Sequence, residues 1–233
     1  MSLTNLVLDY GGAPIFDRLS VDFAAGEFIC VLGPSGCGKS TLLQAISGFQ
    51  APRSGAVRVS GKPAVVFQKH NLFPWKTAIE NVALGLRASG RGKKAAAREA
   101  TASLARVGLG DRCENYPGEL SLGQQQRVGI ARAFSLRSPV LLMDEPFGAL
   151  DAQTRLRMQR LLLRIWDAEK PTVIFVTHDI DEAILLGDRI LVLRGVPATI
   201  CADIHVAAAR PRQFADLATP TLAGMRQDIF NLL

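Results

Sequence analysis

Short apolar runs alternate along this chain with stretches of helical periodicity. Runs at residues 3–8, 27–32, 64–67, 140–143, 172–176 and 189–193 have the length of buried strands, with turn-forming residues between them. Residues 40–46, a glycine-rich turn beyond the second run, open a helix. Between the third and fourth runs, residues 70–138 read as mostly helical. Within them, 79–84 start one helix, Gly90, Arg91, Gly92, Lys93 and Lys94 make a flexible basic joint, and 95–107, rich in Ala and Arg, form another helix. Farther on, Met158, Leu161, Leu162 and Ile165 recur at helical spacing among Arg155, Arg157, Arg160 and Arg164, which predicts an amphipathic helix with a wet basic side. The alternation predicts an α/β domain with a mainly parallel sheet and a helical lobe inserted at 70–138. No internal repeat is visible, and beyond Gly195 the patterning weakens.

Composition narrows the class. At 233 residues and 48% hydrophobic content, the chain can bury one large α/β core. No apolar run approaches the ~20 residues of a membrane-spanning helix. The start has neither a basic region nor a long apolar segment, so the expected location is the cytoplasm. Cys30, Cys37, Cys113 and Cys201 lie far apart, which points to reduced thiols rather than to a metal site or disulfides. A helix start can lower the pKa of a thiol such as Cys37, but the residue reads first as a plain loop residue. His70, with no Cys or His nearby, reads as a surface residue. The net charge of +6 is compatible with an anionic partner but more readily with solvated helix faces, so charge alone assigns nothing.

The candidate chemistry sits at the ends of the apolar runs. Residues 33–41 read Gly33-Pro34-Ser35-Gly36-Cys37-Gly38-Lys39-Ser40-Thr41, the G-x-x-x-x-G-K-[ST] loop that cradles nucleotide phosphates. Its backbone N–H groups and the following helix N-terminus would meet phosphate charge together. Lys39 would reach the β- and γ-phosphates, and the Ser40 hydroxyl would hold Mg²⁺. The run at 140–143 ends in Asp144 and Glu145. Asp144 would reach the same Mg²⁺, and Glu145 would accept a proton from an attacking water.

Shortly before that run stands Leu120-Ser121-Leu122-Gly123-Gln124-Gln125-Gln126-Arg127, and here the chain resembles the ATP-binding cassette family, whose signature is L-S-G-G-Q. Further family marks follow in order from about residue 3 to 194. Tyr10 matches the aromatic residue that stacks on adenine. Gln68 matches a glutamine that senses Mg²⁺ and the γ-phosphate. Gly148-Ala149-Leu150-Asp151 resembles the loop after the catalytic glutamate, and Thr177-His178-Asp179 carries the histidine that contacts the γ-phosphate. The resemblance implies a P-loop NTPase core at about 1–69 and 139–205, an antiparallel β subdomain, an inserted α-helical subdomain at 70–138 and a short tail at 206–233. It implies ATP and Mg²⁺, with Glu145 and His178 catalytic and Ser40, Gln68 and Asp144 at the metal. The nucleotide would meet these groups, Tyr10, the whole loop 33–41, and Ser121, Gly123 and Gln124 from the other copy of a head-to-tail homodimer. Leu122 departs from the family, where a glycine stands, and adds bulk at a close approach.

The segment after Gln68 bears on what such an engine drives. Leu72, Phe73 and Trp75 crowd apolar surface into an expected loop and call for a partner. In importers of the family this region receives a helix of the permease. The wording of residues 72–82, 144–155 and 177–183 is similar to importer ATPases for nitrate, aliphatic sulfonates and taurine. That similarity implies integral membrane permease subunits, an external solute-binding protein, no nucleic acid, and a peripheral place on the cytoplasmic face of the inner membrane. The gap between phosphate loop and signature holds no sustained heptads, unlike DNA-repair relatives. A cassette for a thiamine or pyrimidine precursor, or for an exporter with separate membrane subunits, is the alternative. The solute itself cannot be read from a chain that never touches it.

Overall fold

The structure is a computed structural model that describes residues 1–68 and 71–233. Lys69 and His70, and with them the surface placement expected for His70, lie outside the described residues. Three strands with near-continuous apolar sequence, β3 (Phe28–Leu32), β6 (Val140–Asp144) and β7 (Thr172–Val176), occupy the middle of a six-stranded sheet. Its order is β5 (Ala64–Val66), β6, β7, β3, β8 (Arg189–Arg194), β9 (Thr199–His205), parallel except for the last pair. Strands covered on both faces have no wet side, which is why they read as unbroken apolar runs.

The period of two then sorts each strand between two cores. Phe28, Cys30, Leu32, Leu141, Met143, Val173 and Phe175 face the core shared with the helical lobe and the C-terminal helices. Ile29, Val31, Val140, Leu142, Ile174 and Val176 face a second core. That second core is closed by helix α1 (Lys39–Ser47) and a three-stranded antiparallel sheet of β2 (Phe16–Asp22), β1 (Ser2–Leu8) and β4 (Ser54–Arg58). The sequence pattern missed β2, β4 and β9. In β2 the register against β1 shifts and Arg18 takes φ 55°, so the alternation is broken and diluted by charge. β9 alternates cleanly but half-buries only small steps of apolar surface at the sheet edge.

The inserted lobe packs α2 (Ala78–Ala88), α3 (Lys93–Arg106) and α4 (Leu122–Ser135) around Val82, Leu86, Ala96, Ala100, Leu104 and Val128. Thr77 and Glu80 close a reciprocal cap at the start of α2. α3 starts earlier than expected: Gly92 is its cap and Lys93 and Lys94 are already helical. α5 (Ala152–Glu169) buries Met158, Leu161, Leu162, Ile165 and Trp166 as its period predicts. Asp151 caps α5 and Asp179 caps α6 (Ile180–Leu186), each accepting a backbone N–H three residues on. The tail ends in α7 (Pro220–Leu232). It is tied down by buried Arg212, whose guanidinium donates to the carbonyls of Ile184, Gly187, Val206 and Ala208. Among the described residues, no helix is long and apolar enough to cross a membrane.

Candidate functional site

Strands β5, β6, β7 and β3 run parallel, so the loops that leave their C-terminal ends share one edge of the sheet, where ligands bind in open α/β folds. After β3 come residues 33–41, a loop that runs into the first turn of α1. Gly33 is confined: a Cβ there would come within 2.6 Å of the Leu193 carbonyl oxygen and 2.7 Å of Cys37 Sγ. Gly38 sits at φ 96° against Ile15 and Phe16. Lys39 folds back over this loop, its Nζ donating to Gly33 O at 2.8 Å and Pro34 O at 2.9 Å, and is only 6% exposed. Pro34, Ser35, Gly36 and Ser40 remain exposed and Thr41 half-buried. α1 starts with no side-chain cap, so its first-turn N–H groups are available to an anion.

For Cys37 the structure favours the plain reading over an activated thiol. The residue is buried beneath the loop, and desolvation raises its thiol pKa, outweighing the pull of Lys39. A thiol without water gains little from a helix start, because the thiolate loses its hydration.

β6 delivers Asp144 beside Ser40, whose hydroxyl hydrogen-bonds the carboxylate. Burial pushes the Asp144 pKa up, the Ser40 bond pulls it down, Glu145 adds an upward push and Lys39 a smaller downward one. Glu145 then turns sharply at φ 41°, a strained value for a residue with a side chain. The turn is pinned by its N–H on the Val176 carbonyl at 3.0 Å and by Gly148 N–H on its own carbonyl at 3.2 Å. It aims the carboxylate at the loop after β7, where Glu145 Oε2 and His178 Nδ1 lie 3.1 Å apart. Behind His178, Thr177 donates to the buried Glu182 carboxylate at 2.6 Å, and Gln159 donates to its other oxygen at 2.9 Å.

Of the expected site residues, Lys39, Ser40, Asp144, Glu145 and His178 thus converge on one edge. Tyr10 follows β1 and is 61% exposed, its hydroxyl donating to Gln44 of α1, the helix that the phosphate loop opens, at 2.8 Å. Gln68 is exposed just past β5, whose Val66 pairs with Met143 beside Asp144. The signature residues belong to the helical lobe. Ser121 caps α4, and Ser121 and Gln124 bond each other in a reciprocal box. Leu122 is 54% exposed in the first helical turn. Gly123 packs on α5, where a Cβ would stand 3.0 Å from Thr154 Cγ2.

The apolar loop after Gln68 divides. Leu72 packs against the lobe's core and Phe73 is half-buried, with its ring 5.5 Å from that of Trp75. Trp75 is 69% exposed. Buried Asn81 holds this loop: its side chain accepts Phe73 N–H at 2.8 Å and donates to the carbonyls of Phe73, Lys76 and Thr77. Sequence reasoning missed Asn81, which reads as one more polar residue in a helix start. Among the described residues, no group of three or more His, Cys, Asp or Glu side chains gathers to hold a metal.

Residues 16–148, more than half of the chain, match the model of the ABC transporter family. The chain is 43% identical over 224 residues to the aliphatic sulfonates import ATP-binding protein SsuB 1 of Pseudomonas fluorescens, covering 96% of this chain and 83% of that one. To the taurine import ATP-binding protein TauB of Chromobacterium violaceum it is 45% identical over 213 residues, covering 88% and 82%. An ATP-binding cassette solved as a dimer in a post-hydrolysis state with ADP and Pi superposes with a TM-score of 0.78 at 31% identity, over 89% of this chain and 99% of that one. This chain belongs to the ABC transporter family, as an ATP-hydrolysing cassette with the P-loop NTPase fold.

Proposed function

We propose that this chain is the ATPase subunit of an importer for a small solute such as a sulfonate, taurine or nitrate, working as a head-to-tail homodimer beneath a separate permease. The observation that carries the catalytic part is the Glu145–His178 contact of 3.1 Å, set beside Asp144 and Ser40 at the end of the phosphate loop. ATP would lie with its phosphates on residues 33–41 and its adenine against Tyr10. The hydroxyl of Ser40 on a desolvated carboxylate is an all-oxygen donor set that suits Mg²⁺. Ser40, Asp144 and Gln68 would hold that ion, whose chemistry is to neutralise phosphate charge.

The chain's own groups do the rest. Lys39 compensates charge on the β- and γ-phosphates. Glu145 takes a proton from the attacking water as its oxygen bonds to the γ-phosphorus and the bridging oxygen leaves with ADP. His178 fixes the carboxylate and faces the γ-phosphate. Ser121, Gly123 and Gln124 of the second copy would complete the site, so that hydrolysis requires a closed dimer. Leu122 would stand at that contact. The helical lobe at 70–138 carries the docking loop, with Trp75 as the apolar anchor for a permease helix, and closure would move it. An external solute-binding protein would select the solute. The chain would sit peripherally on the cytoplasmic face of the inner membrane.

Glu145→Gln tests the mechanism. It should keep ATP binding, lose at least ~10² in turnover (about 2.7 kcal/mol of barrier), and accumulate an ATP-bound dimer on size exclusion. Turnover at the wild-type rate would remove Glu145 from this role. Tagging the chain in its own cells and identifying the membrane proteins that co-purify tests the importer. A polytopic permease encoded with a solute-binding protein is the expected result.

A further inference from the structure

Helix α5 reaches both neighbours of His178. On one side, Thr177 Oγ1 donates to Glu182, which also accepts from Gln159 of α5. On the other, Arg155 of α5 bonds Asp179: Nη1 lies 3.1 Å from Asp179 Oδ2. The same guanidinium donates through Nη2 to the carbonyl of Leu150 at 3.3 Å, in the loop that follows Glu145. Asp179 cannot drift under this load, because its other carboxylate oxygen accepts Glu182 N–H and its own N–H donates to Thr177 Oγ1 at 3.1 Å. Arg155 is itself anchored, its N–H making the first bond of α5 to Asp151 O at 2.8 Å. One residue earlier, Thr154 faces Gly123 of the signature, where an added Cβ would stand 3.0 Å from its Cγ2.

We propose that Arg155 is a positioning residue for ATP hydrolysis: by bonding the Leu150 carbonyl and the Asp179 carboxylate at once, it locks the loops bearing Glu145 and His178 to each other. The physical basis is the planar fork of the guanidinium, which serves two acceptors in fixed directions where a lysine ammonium serves as a point charge. The pair is partly exposed, with side chains 29% and 30% accessible, so its bulk stabilising effect is small. Its consequence lies in geometry, since a catalytic contact displaced by about 1 Å loses up to ~10² in rate. The first turn of α5 also lies between a subunit's signature, beside Thr154, and its own Glu145–His178 pair. A signature pressed on the partner's nucleotide therefore bears on the first turn of α5 and on the local site.

This inference rests on Glu145 and His178 being the catalytic pair. The test compares the ATPase kinetics of full-length Arg155→Ala, Arg155→Lys, Asp179→Asn, His178→Ala and the Arg155→Ala/His178→Ala double variant. Asparagine keeps the cap of α6 while removing the charge, so Asp179→Asn gives a reading even where Arg155→Ala folds poorly. Arg155→Ala and Asp179→Asn should lower kcat at least about tenfold with KM for ATP nearly unchanged, and lysine should restore only part. The double variant should be no slower than His178→Ala, because both remove the same contact. The chain has three histidines, His70, His178 and His205, so imidazole ¹⁵N spectra with His178→Ala as the blank isolate one ring. Its hydrogen-bonded Nδ1 signal should move in Arg155→Ala.

A merely structural arginine would lower the melting temperature while leaving kcat per folded site and the imidazole signal in place, and that result overturns the proposal. So does a double variant whose losses multiply. His178→Ala turning over at the wild-type rate would bring down the catalytic pair itself. An impaired His178→Ala beside an unimpaired Arg155→Ala would overturn only the role of Arg155.

Discussion

Gly38 shows what a single position can demand of the phosphate loop. Its φ of 96° excludes most side chains, and a Cβ would also lie 2.6 Å from Ile15 Cγ2 and 3.0 Å from the Phe16 ring. Gly38→Ala is expected to destabilise by about 1–3 kcal/mol and to weaken ATP binding, since the loop must move to relieve the clash. Urea unfolding and titration with a fluorescent ATP analogue check both. Gly48→Ala is the control: at φ 78° with no atom within 4 Å of the added methyl, it meets the backbone penalty alone, about 1 kcal/mol. The glycine pattern itself was legible in the sequence, because backbone permissiveness belongs to the residue. The state of Cys37 was not: whether a thiol near a helix start is activated or desolvated depends on what lies above it, and here burial wins. Arg155 was hidden likewise among four similar arginines, and only the packing of α5 on α6 turns it inward.

Among the elements, α2 carries the clearest division of labour. Val82 and Leu86 secure it to the lobe, while Asn81, fully buried, has its amide committed to the loop that carries Phe73 and Trp75. Asn81→Ala leaves a backbone N–H and three carbonyls without that partner, and is expected to cost about 1–3 kcal/mol in urea unfolding. It should also release Phe73 and Trp75 from their fixed presentation. Trp75→Ala, by contrast, removes an exposed ring and should leave stability within about 0.5 kcal/mol while reducing recovery of permease in pull-downs. A large stability loss in Trp75→Ala would mean that the ring packs internally rather than on a partner. Legibility followed burial at this scale. Buried β3, β6 and β7 announced themselves by composition, whereas β2 and β4, partly wet and irregular in register, lacked a clean alternation, and the alternation of β9 carries too little apolar surface to stand out.

For the whole molecule, the buried Glu182 joins α5, the loop after β7 and α6, and gives stability a pH dependence with a definite sign. Burial raises its pKa in the folded state, against smaller downward pulls from the Thr177 and Gln159 hydrogen bonds. The folded chain then holds the proton more tightly than the unfolded one, so this residue's contribution is full at pH below the ordinary carboxylate value of ~4.3 and declines as pH rises toward the raised value. Wild type minus Glu182→Gln, compared by urea unfolding across that window, should show a difference that shifts in favour of the glutamine variant with rising pH. A flat difference would mean that the hydrogen bonds offset desolvation. The sequence by itself determined the P-loop fold, the phosphate loop, the carboxylates at the end of β6 and the family, because these rest on local spacing and on strands buried along their whole length. Only the tertiary structure decided that Glu145 meets His178, that Asn81 and Arg155 serve loops distant in sequence, and that Cys37 is sealed. Each of these is set by side chains brought together across elements, where distance and desolvation fix the chemistry and no spacing along the chain encodes them.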